Sequence, residues 1–120
     1  MPKRKRKASS KISIRIYSGD DIALGPGKAD LLEHIGATGS IAAAGRAMSM
    51  SYKRAWSLVE TMNRCFREPL VETSKGGVEK GGARLTAAGE DVLVRYRTLQ
   101  DAAHDATDQP IQTFLDLLKD

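Results

Sequence analysis

The stretch SIAAAGRAMSMSYKRAWSLV, Ser40 to Val59, constrains the fold more than any other part of this 120-residue chain. Ile41, Ala44, Gly45 and Met48 recur at helical spacing, the pattern stops at Ser49, and a second one starts after Ser51. Ser40 and Ser51 each stand where a hydroxyl can accept an orphan N–H of a first helical turn. Small residues at 42–45 let another helix come close. At about 100° per residue, Ala55, Leu58, Val59, Met62 and Phe66 share one face of the later helix, while Lys53, Ser57, Glu60 and Arg64 fall on the opposite one. Arg54 and Thr61 flank the polar face. One continuous helix could not turn both apolar stripes onto one core, so the break predicts two short helices crossing sharply, a helix-turn-helix.

The flanking segments read as a small mixed fold around that pair. Ile12, Ile14 and Ile16 alternate with Ser13, Arg15 and Tyr17, which predicts a strand over 12–17 with one buried face, ended by Ser-Gly-Asp-Asp. Pro26 suits a first helical turn, Leu31, Leu32 and Ile35 make an apolar stripe, and Gly36 and Gly39 close that helix. Beyond Pro69, Leu70–Ser74 and Ala83–Thr86 read as short strands around KGGVEKGG, whose glycines suit a hairpin tip. Thr86 can cap a last long helix, its pattern tracing a stripe of Leu85, Ala88, Val92, Leu93, Tyr96, Leu99 and Ala103. Asp108-Gln109-Pro110 is expected to interrupt it before a final apolar turn, Ile111 to Leu118.

Charge and composition limit what such a fold can do. The net charge of +4 is unevenly spread: 1–11 carry six basic groups and no acid, 46–84 eight basic against four acidic, and 85–120 three basic against seven acidic. A basic arm and a basic middle can face one polyanion together. No apolar run is long enough for a membrane span, and the basic start lacks the apolar stretch of a secretory signal, so a cytoplasmic, nucleoid-associated protein is expected. Cys65 is the one cysteine and His34 and His104 lie far apart, so neither a disulfide nor a metal cluster is read, and no cofactor is expected. There is no nucleophile with its base, no suggestive carboxylate pair and no phosphate-binding loop; the chain does not read as an enzyme.

The residues that remain point to duplex DNA. Ser51, Tyr52, Lys53, Arg54 and Ser57 lie at the start of the second crossing helix, from which side chains reach base edges in a major groove. Tyr52 and Trp56, at the boundary of the apolar face, are expected to position the helix rather than read sequence. Lys75, Lys80 and Arg84 border the glycine-rich hairpin and would follow phosphate as a wing. The run KRKRK at Lys3–Lys7 suits a phosphate-collecting arm, and equally resembles a nuclear localisation signal. The stripe along 86–107 exceeds what a small core needs and predicts a second copy as its cover, unless Ile111–Leu118 folds back over it.

HIGATGSI, SMSYKRAWSLVETMN, LVETSKGG and KGGARLTAAGEDVL, in that order between Ile12 and Leu99, resemble the N-terminal domain of the ModE family, molybdate-responsive transcriptional regulators. The resemblance implies a mainly α winged helix-turn-helix of the LysR-like kind, with 12–17 joining the wing hairpin in one sheet and the long last helix as the dimer contact. It divides the chain into an arm (1–11), a DNA-binding domain (12–86) and dimerisation helices (87–120). It implies control of molybdate transport or molybdoenzyme genes. Where the family favours glycine at the corner, this chain has Ser49. Full-length members carry C-terminal oxyanion-binding domains; this sequence ends where those begin, and no residue here is expected to bind molybdate directly. The rival expectation is a winged-helix module that recruits a protein partner through its C-terminal helices.

Overall fold

The computed structural model describes residues 8–74 and 82–119. Over these the order is β1 (Ile16–Ser18), β2 (Asp21–Leu24), α1 (Pro26–Thr38), α2 (Ile41–Ala47), α3 (Tyr52–Cys65), β3 (Val71–Thr73), β4 (Ala83–Leu85) and α4 (Ala87–Leu115). The caps form as their chemistry requires: Ser40 Oγ accepts from the Ala43 N–H and Ser51 Oγ from the Arg54 N–H, each at 3.1 Å. Gly39, at φ 72°, ends α1 by donating its N–H to the Ile35 carbonyl. Gly36, expected beside it at the helix end, lies inside α1, where Leu85 packs on the bare backbone.

The corner between α2 and α3 is a hydrogen-bonded turn. Ser49 sits at φ 57°, the one non-glycine residue at positive φ among those described, while Ser49 N–H donates to the Arg46 carbonyl and Met50 N–H to that of Gly45. Gly45 is buried against the next helix: a Cβ there would lie 3.1 Å from the Ala55 Cβ and 3.4 Å from the Met50 carbonyl oxygen. The crossing is therefore close, and Ile41, Ala44, Ala55, Val59 and Met62 all reach one core with Leu31, Leu32 and Ile35 of α1. Leu70, Val71 and Ala83 close it from the hairpin side.

The leading segment departs from expectation. Only Ile16–Ser18 is a strand; it pairs antiparallel with β2, an element the sequence did not suggest, and not with the wing. Gly19 at φ 60° turns the chain straight back, so Ser-Gly-Asp-Asp is a hairpin turn rather than a terminator. Both edges of the β3–β4 hairpin already carry partners other than the first strand. Ala83 N–H donates to the Gly39 carbonyl and Ser40 bridges Gly82 on one side, while Asn63 occupies the backbone of Val71 on the other. Ile14 still packs on the core, but Ile12 and Ile16 are exposed.

The last helix also differs. It runs unbroken through Pro110 to Leu115, and Ile111–Leu118 does not fold back: Phe114, Leu117 and Leu118 stay exposed. Proline removes one N–H, but Ala106, whose carbonyl loses that donor, is exposed to water. Two links fix the first half of α4 to the body. Tyr96, almost fully buried, donates its hydroxyl to the Ile14 carbonyl at 2.7 Å, and burial holds its phenol above the usual pKa. Arg97 donates to Asp30 at 2.8 Å and Glu33 at 3.1 Å on α1. One turn further, Gln100, Asp101 and His104 still line a shallow depression with Ile12 and Ile14. Past His104 the helix leaves the body, in a molecule 64 Å in its longest dimension. No helix among the described residues is long and apolar enough to cross a membrane.

A left-handed conformation costs an L-residue roughly 1–2 kcal/mol, partly regained here through the turn hydrogen bonds. Ser49→Gly is therefore expected to raise unfolding stability by about 0.5–1 kcal/mol, read as a higher urea midpoint at unchanged slope. A lower midpoint would show that the corner is not under strain.

Candidate nucleic-acid interface

The corner and the caps decide what α3 shows to solvent. With Ala55, Val59 and Met62 clamped inward, Lys53, Arg54 and Ser57 are exposed on its first two turns, and among the described residues no carboxylate lies within ion-pair distance of either cation. Ser51 is exposed too, but its oxygen is engaged as the helix cap. Tyr52 stands free on one flank and stacks on Trp56, one turn later, with ring centroids 6.4 Å apart and planes 12° from parallel. Trp56 is half-buried against the core.

The two flanks of α3 meet different neighbours. On the Tyr52 flank, Asn63 ties the helix to the hairpin: its Oδ1 accepts from the N–H groups of Leu70 (2.8 Å) and Val71 (3.2 Å), and its Nδ2 donates to the Val71 carbonyl at 3.1 Å. On the Arg54 flank stands α1. Burial lowers the pKa of the Lys28 ammonium there, and the positive charge of Arg54 lowers it further, while Cys65 and Asp21 act in the opposite direction. Lys28 is thus a further cation within electrostatic reach of Arg54. No sequence signal marked it, because a lysine just after Pro26 reads as an ordinary helix-start residue and only the fold brings it to α3.

The hairpin is less simply arranged than its sequence suggested. Arg84 on β4 is exposed, but its guanidinium donates to Glu72 across the strand pair at 3.0–3.1 Å. Lys75 and Lys80 fall outside the described residues, so of the three expected wing cations only Arg84 has a place here. The β3–β4 pair is in register, Val71 opposite Leu85 and Thr73 opposite Ala83, and it starts where Asn63 anchors it. Helix and hairpin are therefore one unit. Among the described residues no group of histidine, cysteine or acidic side chains is arranged to hold a metal ion.

No protein-family model matches the chain. Individual relatives do. The molybdenum-pterin-binding protein MopA of Rhodobacter capsulatus is 44% identical over 72 residues, 60% of this chain and 27% of that protein. The molybdenum transport protein ModE of Azotobacter vinelandii is 39% identical over 87 residues, 72% of this chain and 32% of its own. The transcriptional regulator ModE of Haemophilus influenzae is 33% identical over 107 residues, covering 86% and 42%. This chain is a homologue of the ModE regulators. It spans between 27% and 42% of the length of these ModE and Mop relatives.

Solved structures give the fold. The DNA-binding domain of CbnR in its DNA complex superposes with a TM-score of 0.58 at 21% identity, over 72% of this chain and 94% of that one. The LysR family transcriptional regulator VV2_1132 gives 0.56 at 15% identity, over 72% and 28%. The fold is thus a winged helix-turn-helix, similar to that of these LysR-type proteins, with α2 and α3 as the crossing pair and β3–β4 as the wing.

Asn63 carries three hydrogen bonds at a part-buried junction, and unpaired buried amides cost about 1–3 kcal/mol each. Asn63→Ala is expected to lower unfolding stability by about 2–3 kcal/mol, a fall of several degrees in melting temperature. Asn63→Asp should show only part of that fall, since its carboxylate still accepts from Leu70 and Val71 but cannot donate.

Proposed function

We propose that this chain is a sequence-preferring duplex-DNA-binding regulator of transcription that works as a homodimer, with α3 entering the major groove. The observation that carries this reading is the pair Lys53 and Arg54, exposed without carboxylate partners among the described residues at the capped start of a helix whose other face is clamped in the core. Basic residues there oppose the helix dipole, a small cost that DNA phosphate offsets. Ser51, Tyr52 and Ser57 complete the groove set; Lys75, Lys80 and Arg84 serve the wing, with Glu72 orienting Arg84. The division into an arm (1–11), a DNA-binding domain (12–86) and dimerisation helices (87–120) belongs to the same reading. So does control of molybdate transport or molybdoenzyme genes, which rests on the names of the relatives and on no residue of this chain.

The dimer reading rests on α4. Ile16, Leu24, Phe66, Val92 and Leu99 line an apolar depression beside it, and the stripe continues outward past the body. A second copy covers such a surface by symmetry. The exposed Phe114, Leu117 and Leu118 favour one alternative, in which the same helix recruits a different protein. That alternative predicts weak DNA affinity and a monomer in isolation.

Titration of the full chain against mixed duplex fragments at several salt concentrations tests the leading reading. Lys53→Ala with Arg54→Ala is expected to weaken binding about tenfold or more and to flatten the salt dependence by about one unit of slope for each phosphate left without its cation. Unchanged affinity together with unchanged sequence preference would remove these residues from the interface. Sedimentation should give twice the 13.0 kDa chain mass, and Leu99→Asp should shift the equilibrium to the monomer. A monomeric parent protein would remove α4 from the dimer contact.

A further inference from the structure

Tyr52 is 57% exposed although its ring is large, and on α3 no other large apolar side chain among the described residues is comparably open; the remaining ones lie on α4, on β1 or at the chain's two ends. Trp56, packed on the core one turn later, lies nearly parallel to the ring with centroids 6.4 Å apart. The Ser51 cap sets the backbone of this first turn, and the contact with Trp56 restricts the ring before any partner arrives. Part of the rotamer freedom that binding would remove is therefore already lost. The ring lies in the first turn of the helix, as Lys53 and Arg54 do, on the flank that Asn63 ties to the hairpin and opposite the flank of Arg54.

An exposed apolar surface at the edge of a basic helix face gains hydrophobic free energy only against another apolar surface. The major groove of duplex DNA offers a single one, the C5 methyl group of thymine; its other edge groups are hydrogen-bond donors and acceptors. We propose that Tyr52, backed by Trp56, selects a thymine by packing on its methyl group. This rests on the DNA-binding reading above and assigns Tyr52 a role in specificity, beyond the positioning role that its place in the sequence suggested. Lys53 and Arg54 meet the same stretch of groove electrostatically; Tyr52 adds a preference that salt does not screen.

The test replaces thymine by deoxyuridine, which removes the methyl group and nothing else. A tight duplex is first selected from a random pool with the full chain, and each of its thymines is then substituted in turn. Parent protein should lose about fourfold in affinity at one thymine per half-site, the effect of exposing one methyl group, and about tenfold or more when both half-sites are changed. Tyr52→Ala should bind the unmodified duplex with a similar deficit and be indifferent to the substitution, while Tyr52→Phe, which keeps the ring and loses the hydroxyl, should behave as the parent. The proposal is overturned if no thymine shows the effect, if the selected site has none, or if Tyr52→Ala retains the full penalty. It is equally overturned if Tyr52→Phe matches Tyr52→Ala, which would assign the hydroxyl to a phosphate. A chain that prefers no duplex at all overturns the DNA-binding reading itself; tight, sequence-preferring binding without a methyl effect overturns only this inference.

Discussion

The close crossing of α2 and α3 at Gly45 and Ala55 is the packing on which the rest of the molecule depends. The two backbones approach because Gly45 has no side chain, and they diverge at the required angle because Ser49 takes a left-handed conformation. If either gave way, Ala55, Val59 and Met62 could not meet Leu31, Leu32 and Ile35, and the core would lose several buried side chains worth roughly 1.5–3 kcal/mol each. The outward residues follow by necessity: with the inner stripe fixed, helical periodicity leaves Lys53 and Ser57 no direction but solvent. Stability and presentation are therefore the same constraint seen from two sides.

That constraint extends to the wing through one side chain. Asn63 leaves α3 on the same flank as Tyr52 and satisfies three backbone groups where β3 begins, while the loop after α1 bonds β4 through Gly39 and Ser40. The hairpin is held from both edges by elements of the helical body. A cation at its base, such as Arg84, keeps a fixed relation to Lys53 and Arg54, and its pairing with Glu72 limits the directions it can take. Such an exposed pair adds little to stability, at most about 1 kcal/mol, so its consequence is orientation.

The helices were legible because their signals are local: a serine cap, a stripe at spacings of three and four, a glycine after the last turn. Ser40, Ser51, Gly39 and Thr86 did what such residues do in any helix. The missed elements depended on information that no short window contains. β2 was hidden because Asp20 and Asp21 resemble loop residues, and only the turn at Gly19 brings them back as half of a hairpin. The joining of the first strand to the wing failed because both wing edges are occupied by residues distant in sequence. Pro110 read as a stop, yet an exposed helix can hydrate the carbonyl that proline orphans. In the candidate interface the cations of α3 were legible from periodicity, whereas Lys28 within electrostatic reach of Arg54, and Glu72 on Arg84, required the fold.

The outer part of α4 poses the remaining physical question. Its first half is secured by Tyr96 on the Ile14 carbonyl and by Arg97 on Asp30 and Glu33, and the next turn runs beside Ile12; beyond His104 about three further turns extend with none of the body to pack on. Isolated helices of that length are marginal in water even for good helix formers, and this one contains a proline and two threonines. Acidic groups at Asp101, Asp105 and Asp108 keep the segment soluble and repel it from any polyanion bound at α3. Propensity alone favours this helix little, and the line through Ala103, Ile111 and Leu115 is only half-buried in the single chain. In the proposed dimer the same helix of the second copy covers that line, and the stability of the outer turns then becomes a function of protein concentration rather than of the single chain.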